Sequence, residues 1–250
     1  MSELTYFSYE NAPLEIRDDI KQAHRKFWET LSRAGNWWSG SDRIAIAQEV
    51  RNASTCEYCQ KRKIALSPYT FKGEHKHSTH LPLSAVDAIH RIITDQHRIT
   101  QQYIDDNVDG GLPHTHYVEL AGVAVAVFSI DEFNRGLGIA LEPLPKPCAG
   151  KPDNYQPAKT VKDIAFVPML PANGATGAES DLWHKDQTAN VLRALTLVPN
   201  ALRDWQSLSS AQYLSIEGMG NFVQQKGRAI NRMQMELIAG RVSSYNECFY

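Results

Sequence analysis

The stretch YVELAGVAVAVFSIDEFNRGLGIAL, residues 117–141, decides the fold class of this 250-residue chain. Its valines would suit a β-strand, but its length and its alanines favour a helix. Ser129 and Glu132 also have the spacing of a capping box, in which a hydroxyl and a carboxylate bond the first unpaired N–H groups of a helix. We therefore predict two helices, or one bent helix, in this stretch.

The segments on either side of this stretch are helical in pattern as well. Apolar residues at three- and four-residue spacing run from Ile16 to Ala34, which predicts an amphipathic helix of about five turns. Ser41 or Asp42 is expected to cap a second helix. Further helical patterns follow late in the chain, at residues 190–197, 201–214 and 229–242. The sequence therefore predicts an all-α protein.

A segment with little periodicity separates the two helical parts. Seven of the twelve prolines lie between Pro143 and Pro171, which is typical of a linker or an extended arm on the surface. Trp183 is a candidate anchor for this arm. We predict three regions, a helical unit at 1–141, a Pro-rich arm at 142–187 and a second helical unit at 188–250.

Composition argues against several classes of function. The net charge of −2 and the pI near 6.5 give no electrostatic reason to expect nucleic acid or an anionic membrane as a partner. The first residues lack the basic flank and apolar run of a secretory signal, and no apolar stretch reaches the roughly 18 residues of a transmembrane helix. We therefore expect a cytoplasmic protein.

Two cysteines stand close together in the first unit, in the sequence Cys56-Glu57-Tyr58-Cys59. In a reducing compartment such a pair indicates redox chemistry or metal binding rather than a structural disulfide. Ser54 or Thr55 is expected to cap a helix that begins at about Cys56. The unpaired N–H groups at the start of a helix stabilise a thiolate.

Positive charge near the pair would act in the same direction. Three basic residues follow it in sequence, Lys61, Arg62 and Lys63. We therefore expect the pKa of a thiol in this pair to fall from about 8.5 to roughly 7 or below. Two intervening residues would also allow a sulfenic acid on one sulfur to condense with the other thiol.

The two helical units carry a weak internal repeat. When Cys56 is placed on Cys248, both copies run an apolar helix into a short polar break and then a cysteine that opens another helix. The second copy also has Glu236, with eleven residues between it and Cys248. Self-similarity of this kind predicts a duplicated unit.

In these features the chain is similar to the superfamily of alkylhydroperoxidase AhpD and carboxymuconolactone decarboxylase. Its redox members share a glutamate, eleven intervening residues, Cys-x-x-Cys and, after three further intervening residues, a histidine. The second copy matches at Glu236 and Cys248, and the sequence ends two residues later, so it is interpreted as truncated within its Cys-x-x-Cys motif. The first copy has both cysteines, but Ile44 and Lys63 stand at the glutamate and histidine positions. The resemblance covers roughly residues 16–141 and 188–250.

This resemblance implies two tandem AhpD-like units and assembly into a dimer or a higher oligomer. It implies thiol-dependent reduction of hydrogen peroxide or an organic peroxide, with a small thiol or a dithiol protein as reductant. Cys59 would be the attacking thiol and Cys56 its resolving partner, whereas local helix geometry leaves that order open. The resemblance implies no metal, haem or flavin.

A proton relay for the first unit must come from other residues, because a general base has to lie within hydrogen-bond reach. Glu49 is one candidate. The polar loop after the cysteines offers three histidines that could fold back over them, His75, His77 and His80. We expect His90 and His97, which share a helical face, to lie at the surface or in an interface.

Three alternatives remain open from the sequence. A zinc site would use Cys56 and Cys59 with two of the loop histidines, which are plausible ligand types at plausible spacing. A carboxymuconolactone-type enzyme would perform acid–base chemistry without the thiols. An assembly module would keep the fold and lack activity.

Overall fold

A computed structural model of the chain describes residues 6–183, 188–215, 218 and 227–248. Helices dominate these residues, and the β-pairing described among them is a single antiparallel bridge between Val161 and Met169. The α-helices are α1 Asp18–Ser32, α2 Gly40–Ala53, α3 Glu57–Ile64, α4 Leu83–Thr94, α5 Gln101–Asp109, α6 His114–Gly136, α7 Asn190–Arg193, α8 Pro199–Gln212 and α9 Arg232–Tyr245. Short 3₁₀ helices occur at Gln96–Arg98 and Gly177–Glu179. The prediction of an all-α protein is confirmed.

The central element is α6, a single helix of 23 residues that packs against α2 and α4. Val118, Val123 and Val127 are buried on this helix and Val125 is exposed, and the helical interpretation of residues 117–141 holds over most of that stretch. The predicted capping box is wrong, because the Ser129 hydroxyl donates to the carbonyl of Ala126 inside α6 at 3.0 Å. Gly122 lets α8 approach closely, since a Cβ placed there would lie 2.7 Å from the Cβ of Ala201.

Helix α1 buries the apolar stripe that its spacing predicted, including Ile20, Phe27 and Leu31. Helix α2 is capped by Ser39 rather than by Ser41 or Asp42. The Ser39 hydroxyl accepts from the backbone N–H of Asp42, and the Asp42 carboxylate accepts from the N–H of Ser39 in return. Asp42 takes part in the cap as the third residue of α2. The cap residue thus lies two or three positions earlier than Ser41 or Asp42 would have placed it, which is less than one turn.

Two ion pairs fix α2 on α6. Near the start of α2, Arg43 Nη1 lies 2.7 Å from Glu119 Oε1, and both side chains are buried. Near its end, Arg51 forms a bidentate pair with Asp131 at 2.8 and 2.9 Å. Because a helix pinned at both ends cannot rotate or slide, these pairs also set the position of side chains between them.

The Pro-rich arm is held against the first helices through its main chain. The backbone N–H of Cys148 donates to Ser32 O at 2.7 Å, and that of Asn154 donates to Asn36 O at 2.8 Å. The carbonyl of Pro143 accepts from the indole N–H of Trp28 at 2.9 Å. The arm is thus an ordered covering of the helices over its described residues.

Trp183 anchors the end of the described part of the arm. Its side chain is buried and its indole N–H donates to Ala172 O at 2.7 Å. It belongs to an apolar cluster of five buried residues, Leu170, Leu182, Trp183, Leu192 and Leu202. The last four residues of the predicted arm, 184–187, lie outside the described residues.

Contacts divide the chain into two compact units, Met1–Leu208 and Ser209–Tyr250. The sequence analysis predicted boundaries after residues 141 and 187. Residues 142–187, the Pro-rich arm, fall within the first of these two units. In the second unit, Asn231 caps α9 with a reciprocal bond to Gln234. The prediction of two tandem AhpD-like units stays a prediction. None of the helices in the described part of the chain combines the length and apolar character needed to cross a bilayer.

Candidate active site

The two cysteines of the first unit lie at the start of α3, with their side chains covered. Cys56 is the N-cap residue and Cys59 is the third residue of the helix. Only 3% of Cys56 and 1% of Cys59 is exposed. The predicted caps are wrong, since Ser54 ends α2 and the Thr55 hydroxyl bonds back to Asn52 O.

Two histidines from different segments meet the sulfurs. His75 comes from the loop between α3 and α4, and its Nδ1 lies 3.6 Å from Cys56 Sγ and 3.4 Å from Cys59 Sγ. His90 comes from α4, is fully buried, and places its Nδ1 3.3 Å from Cys59 Sγ. The two rings contact each other edge to face, with 4.4 Å between their centroids.

Each imidazole is held from behind by a carboxylate. His90 Nε2 lies 3.1 Å from Glu49 Oε2, and the other oxygen of Glu49 accepts from the Thr79 hydroxyl at 2.7 Å. His75 Nε2 lies 2.8 Å from Asp87 Oδ1. The site is therefore a set of two thiols, two imidazoles and two carboxylates contributed by α2, α3, α4 and the loop between them.

Glu49 is an anion at neutral pH. Burial opposes its charge, but hydrogen bonds from His90, Thr79 and Asn52 outweigh burial and lower the pKa of Glu49 to about 2. An ionised carboxylate can only accept, so the His90 Nε2 must carry the proton. In the neutral form of the imidazole the lone pair is then on Nδ1 and faces the Cys59 sulfur, where it can accept the thiol proton.

Asp87 orients His75 in the same way. Its carboxylate also accepts from the Tyr103 hydroxyl at 2.6 Å and forms an ion pair with Arg62. These bonds overcome its burial and hold the pKa of Asp87 well below its usual range. Burial is the main cause that lowers the pKa of His75, which is consequently neutral near pH 7 with Nδ1 facing the thiols.

The predicted lowering of the thiol pKa is wrong for Cys59. Burial, reinforced by the neighbouring Cys56, raises the pKa of Cys59 to about 12. Of the three basic residues expected to help, only Arg62 reaches the site, with Nη2 at 3.9 Å from Cys59 Sγ. Lys61 is exposed and pairs with Glu57. The loss of solvation that raises the pKa of Cys59 outweighs the stabilisation of a thiolate by the start of α3. Cys59 is therefore a protonated thiol in the resting protein.

A cavity of about 570 Å³ lies beside α3 and the following loop. Tyr58 lines it and also packs edge-on against His75, with 4.9 Å between the ring centroids. On its other side Tyr58 stacks on Phe71 at 5.6 Å and donates to Phe71 O at 2.9 Å. Tyr58 thus links the cavity to the covered thiols.

The sequence placed some of these residues correctly and missed others. Cys56, Cys59, Glu49 and His75 do come together. His80 does not, because it is exposed and bonds Asp42 Oδ1 at 2.7 Å, and His77 is exposed too.

His90 was expected at a surface and is instead at the centre of the site. The available signal was its place four residues after Val86, on the buried face of α4. Asp87 and Thr79 were not singled out from the sequence at all. No pattern in a single sequence shows that Asp87 would contact His75 or that Thr79 would contact Glu49.

The second copy of the motif lies in the other compact unit and gathers no comparable set among the described residues. The Glu236 side chain is 47% exposed and pairs with Arg232 at 2.8 Å, while the Tyr213 hydroxyl donates to it. Cys248 is exposed. Phe249 and Tyr250, the last residues of the predicted truncated motif, lie outside the described residues.

Comparisons of the chain with protein-family models, with curated proteins and with solved structures gave no match. The fold and the geometry of this site are therefore the basis for a functional conclusion.

Proposed function

We propose that the protein is a thiol-dependent peroxidase that reduces hydrogen peroxide or an organic peroxide with Cys59 and Cys56. The observation that carries this proposal is the continuous chain of contacts Glu49–His90–Cys59, in which a buried carboxylate orients an imidazole toward a thiol. This is the relay that the AhpD resemblance requires, supplied by residues at other sequence positions than the family motif.

The first step pairs proton transfer with attack. Because burial raises the pKa of Cys59, a base has to take its proton as the peroxide enters, and His90 Nδ1 is in place to do so. The Cys59 sulfur attacks one peroxide oxygen and the O–O bond breaks. The leaving alkoxide takes the proton from His90, which gives an alcohol and a Cys59 sulfenic acid.

The second step closes the disulfide. The Cys56 sulfur attacks the sulfenic sulfur, its proton passes to His75 and then to the departing hydroxide, and water leaves. The sum is one peroxide and two thiols converted to an alcohol, a water molecule and one disulfide. Two electrons from a small thiol or a dithiol protein would then restore both thiols.

The cavity beside α3 is the proposed entry route. It is adjacent to the site through Tyr58, and three lysines, Lys61, Lys72 and Lys76, line it together with Phe71. Since Tyr58 lines the cavity and packs against His75, movement of its ring would open a path from the cavity toward the sulfurs. The covered resting state would protect both thiols from non-specific oxidation.

The cellular setting belongs to the same proposal. Regeneration of a dithiol requires a reducing compartment, so we propose a cytoplasmic protein.

We also propose a dimer or a higher oligomer, supported by exposed apolar side chains along α9, among them Met233, Leu237 and Ile238. Sedimentation or light scattering of the full chain would measure its mass in solution.

A free-thiol count before and after one equivalent of peroxide tests the function. The wild type should lose two thiols, and Cys59→Ser should lose no pair. Cys148→Ser is the matched control, because Cys148 lies in the arm away from the site and its loss should leave the two-thiol change intact. An unchanged thiol count in the wild type, or the same loss in Cys59→Ser, would remove the proposal.

A further inference from the structure

The same cluster has a second property that peroxide chemistry does not require. Among the described residues, the ligand atoms of Cys56, Cys59, His75 and His90 all lie within 4.8 Å of one another. We infer that these four side chains form a binding site for one zinc ion. The inference is independent of the proposed peroxidase activity.

The distances fit the edges of a zinc tetrahedron. With Zn–S bonds of about 2.3 Å and Zn–N bonds of about 2.0–2.1 Å, sulfur and nitrogen ligands stand about 3.6 Å apart. The sulfur–nitrogen distances from Cys59 are 3.3 Å to His90 and 3.4 Å to His75, and that from Cys56 to His75 is 3.6 Å. These sulfur–nitrogen distances are thus close to the ligand–ligand separation of a tetrahedral zinc site.

The tautomers of both histidines suit metal binding. The carboxylates behind them fix the proton on Nε2 and leave the Nδ1 lone pairs facing the sulfurs. A carboxylate that holds the far nitrogen of a ligand histidine orients the ring and raises its basicity, and this arrangement recurs in zinc proteins. The presence of Glu49 and Asp87 behind both rings is a second, independent indication of a ligand site.

The charge of the ligands and the segments that carry them also support a zinc site. Two thiolates balance the charge of Zn²⁺, and binding would release the two thiol protons. Four protein ligands fill a tetrahedral site completely, which is typical of structural zinc. The ion would join α3, α4 and the irregular loop that carries His75, a segment with little regular secondary structure of its own.

A bound zinc ion would also affect the thiols. Both sulfurs would be metal-bound thiolates, and neither imidazole could accept a proton through Nδ1. In the zinc-loaded form the relay proposed through His90 Nδ1 would therefore be blocked until the ion leaves. Metal and peroxide would compete for one set of groups.

Zinc titration of the reduced, chelator-stripped full chain tests this inference, in competition with a chromogenic chelator. We expect one ion per chain. Cobalt(II) in place of zinc should give the visible bands of a tetrahedral ion and a near-ultraviolet thiolate-to-metal band. The cobalt spectrum of the unsubstituted protein keeps the test independent of whether any variant folds.

Matched variants locate the site. Cys59→Ser should lose one-to-one binding and the thiolate band, whereas Cys148→Ser should keep both. His75→Asn should weaken binding, whereas His80→Asn, at an exposed histidine outside the cluster, should not. Glu49→Gln and Asp87→Asn should each lower the affinity by about 10- to 100-fold through loss of support for the ligand histidines.

Three results would overturn the inference. They are no zinc bound by the stripped protein, a cobalt spectrum without a thiolate band, and binding that survives Cys59→Ser. The peroxide-dependent thiol count is made on metal-free protein, so failure of the peroxidase proposal and failure of the zinc site appear in separate experiments.

Discussion

Each compact unit carries a glutamate followed by a cysteine, at different spacings, and the two pairs differ in their surroundings. In the first unit, Glu49 and Cys59 are joined through His90 and are almost fully buried. In the second unit, Glu236 and Cys248 lie on an exposed helix and just beyond its end. Glu236 and Cys248 have the spacing of the AhpD motif, yet it is Glu49 and Cys59 that are joined through an imidazole.

The comparison teaches that spacing alone does not build a relay. The imidazoles that contact Cys59 come from α4 and from a loop, 31 and 16 positions further along the chain. Glu49 takes part because α2 is pinned on α6 by ion pairs at both ends. A tertiary environment, rather than a short motif, defines the site.

The largest expected contrast between the two regions is in peroxide turnover. Cys59→Ser should reduce the rate by about a thousandfold or more, because a serine hydroxyl is far less acidic and less nucleophilic toward peroxide than a thiol. Cys248→Ser should leave the rate unchanged. A coupled assay that follows reductant consumption measures both, and a rate that depended on Cys248 instead would reverse the comparison.

Alkylation of the thiols sharpens the contrast in the resting state. Because burial raises the pKa of Cys59 from 9.0 to about 12, its thiolate fraction below pH 9 falls by about a thousandfold. Exposed Cys248 should be labelled by iodoacetamide long before Cys59, and labelling of Cys59 should accelerate as the pH rises. Mass spectrometry of the peptides gives each rate, and protein unfolded in urea provides the reference. Rapid labelling of Cys59 at pH 7 would show that its thiol is neither covered nor protonated.

The glutamates give a smaller contrast. Glu49→Gln should lower the peroxide-reduction rate by about a hundredfold, since loss of a positioned acid–base relay typically costs that much. Glu236→Gln should have no effect, because its carboxylate faces solvent and Arg232. Steady-state kinetics of the two variants measure these rates, and circular dichroism verifies that both variants are folded. Equal losses in both would argue that neither glutamate acts through a relay.

Acid stability should show the mildest difference. The pKa of Glu49 is lowered from 4.5 to about 2 in the folded protein, so its ionised form stabilises the fold above about pH 4.5. This contribution is lost as the pH falls from about 4.5 to about 2. Urea unfolding across this range should have a shallower pH dependence in Glu49→Gln than in the wild type. Equal pH dependence in Glu49→Gln and the wild type would contradict this role of Glu49.

Much of the fold could be predicted from the sequence because helices have a local signature. The apolar spacing of α1 and the length of the 117–141 stretch were sufficient to predict helices there. The limits of elements were less certain, since Ser39 and Ser41 are chemically equal candidates for the cap of α2. Only the contact with the partner residue three positions later distinguishes them.

The site was predictable only in part, because its members are joined by packing. Cys56 and Cys59 were evident from their spacing, and Glu49 followed from the need for a nearby base. His90 was misassigned although its position four residues after Val86 signals burial, because no sequence pattern shows that a histidine there would contact Cys59 and Glu49. The thiol pKa was misjudged because its direction depends on how fully α4 and the loop cover Cys59.

The attachment of the Pro-rich arm has a consequence for variation of the sequence. At Pro143, Cys148 and Asn154 the arm offers backbone groups to Trp28, Ser32 and Asn36, and the side chains of Cys148 and Asp153 add contacts to the last two. Substitution at these positions would leave each anchoring group in place as long as the extended backbone course is kept. Related chains should therefore conserve the length and proline content of the arm while its individual residues drift.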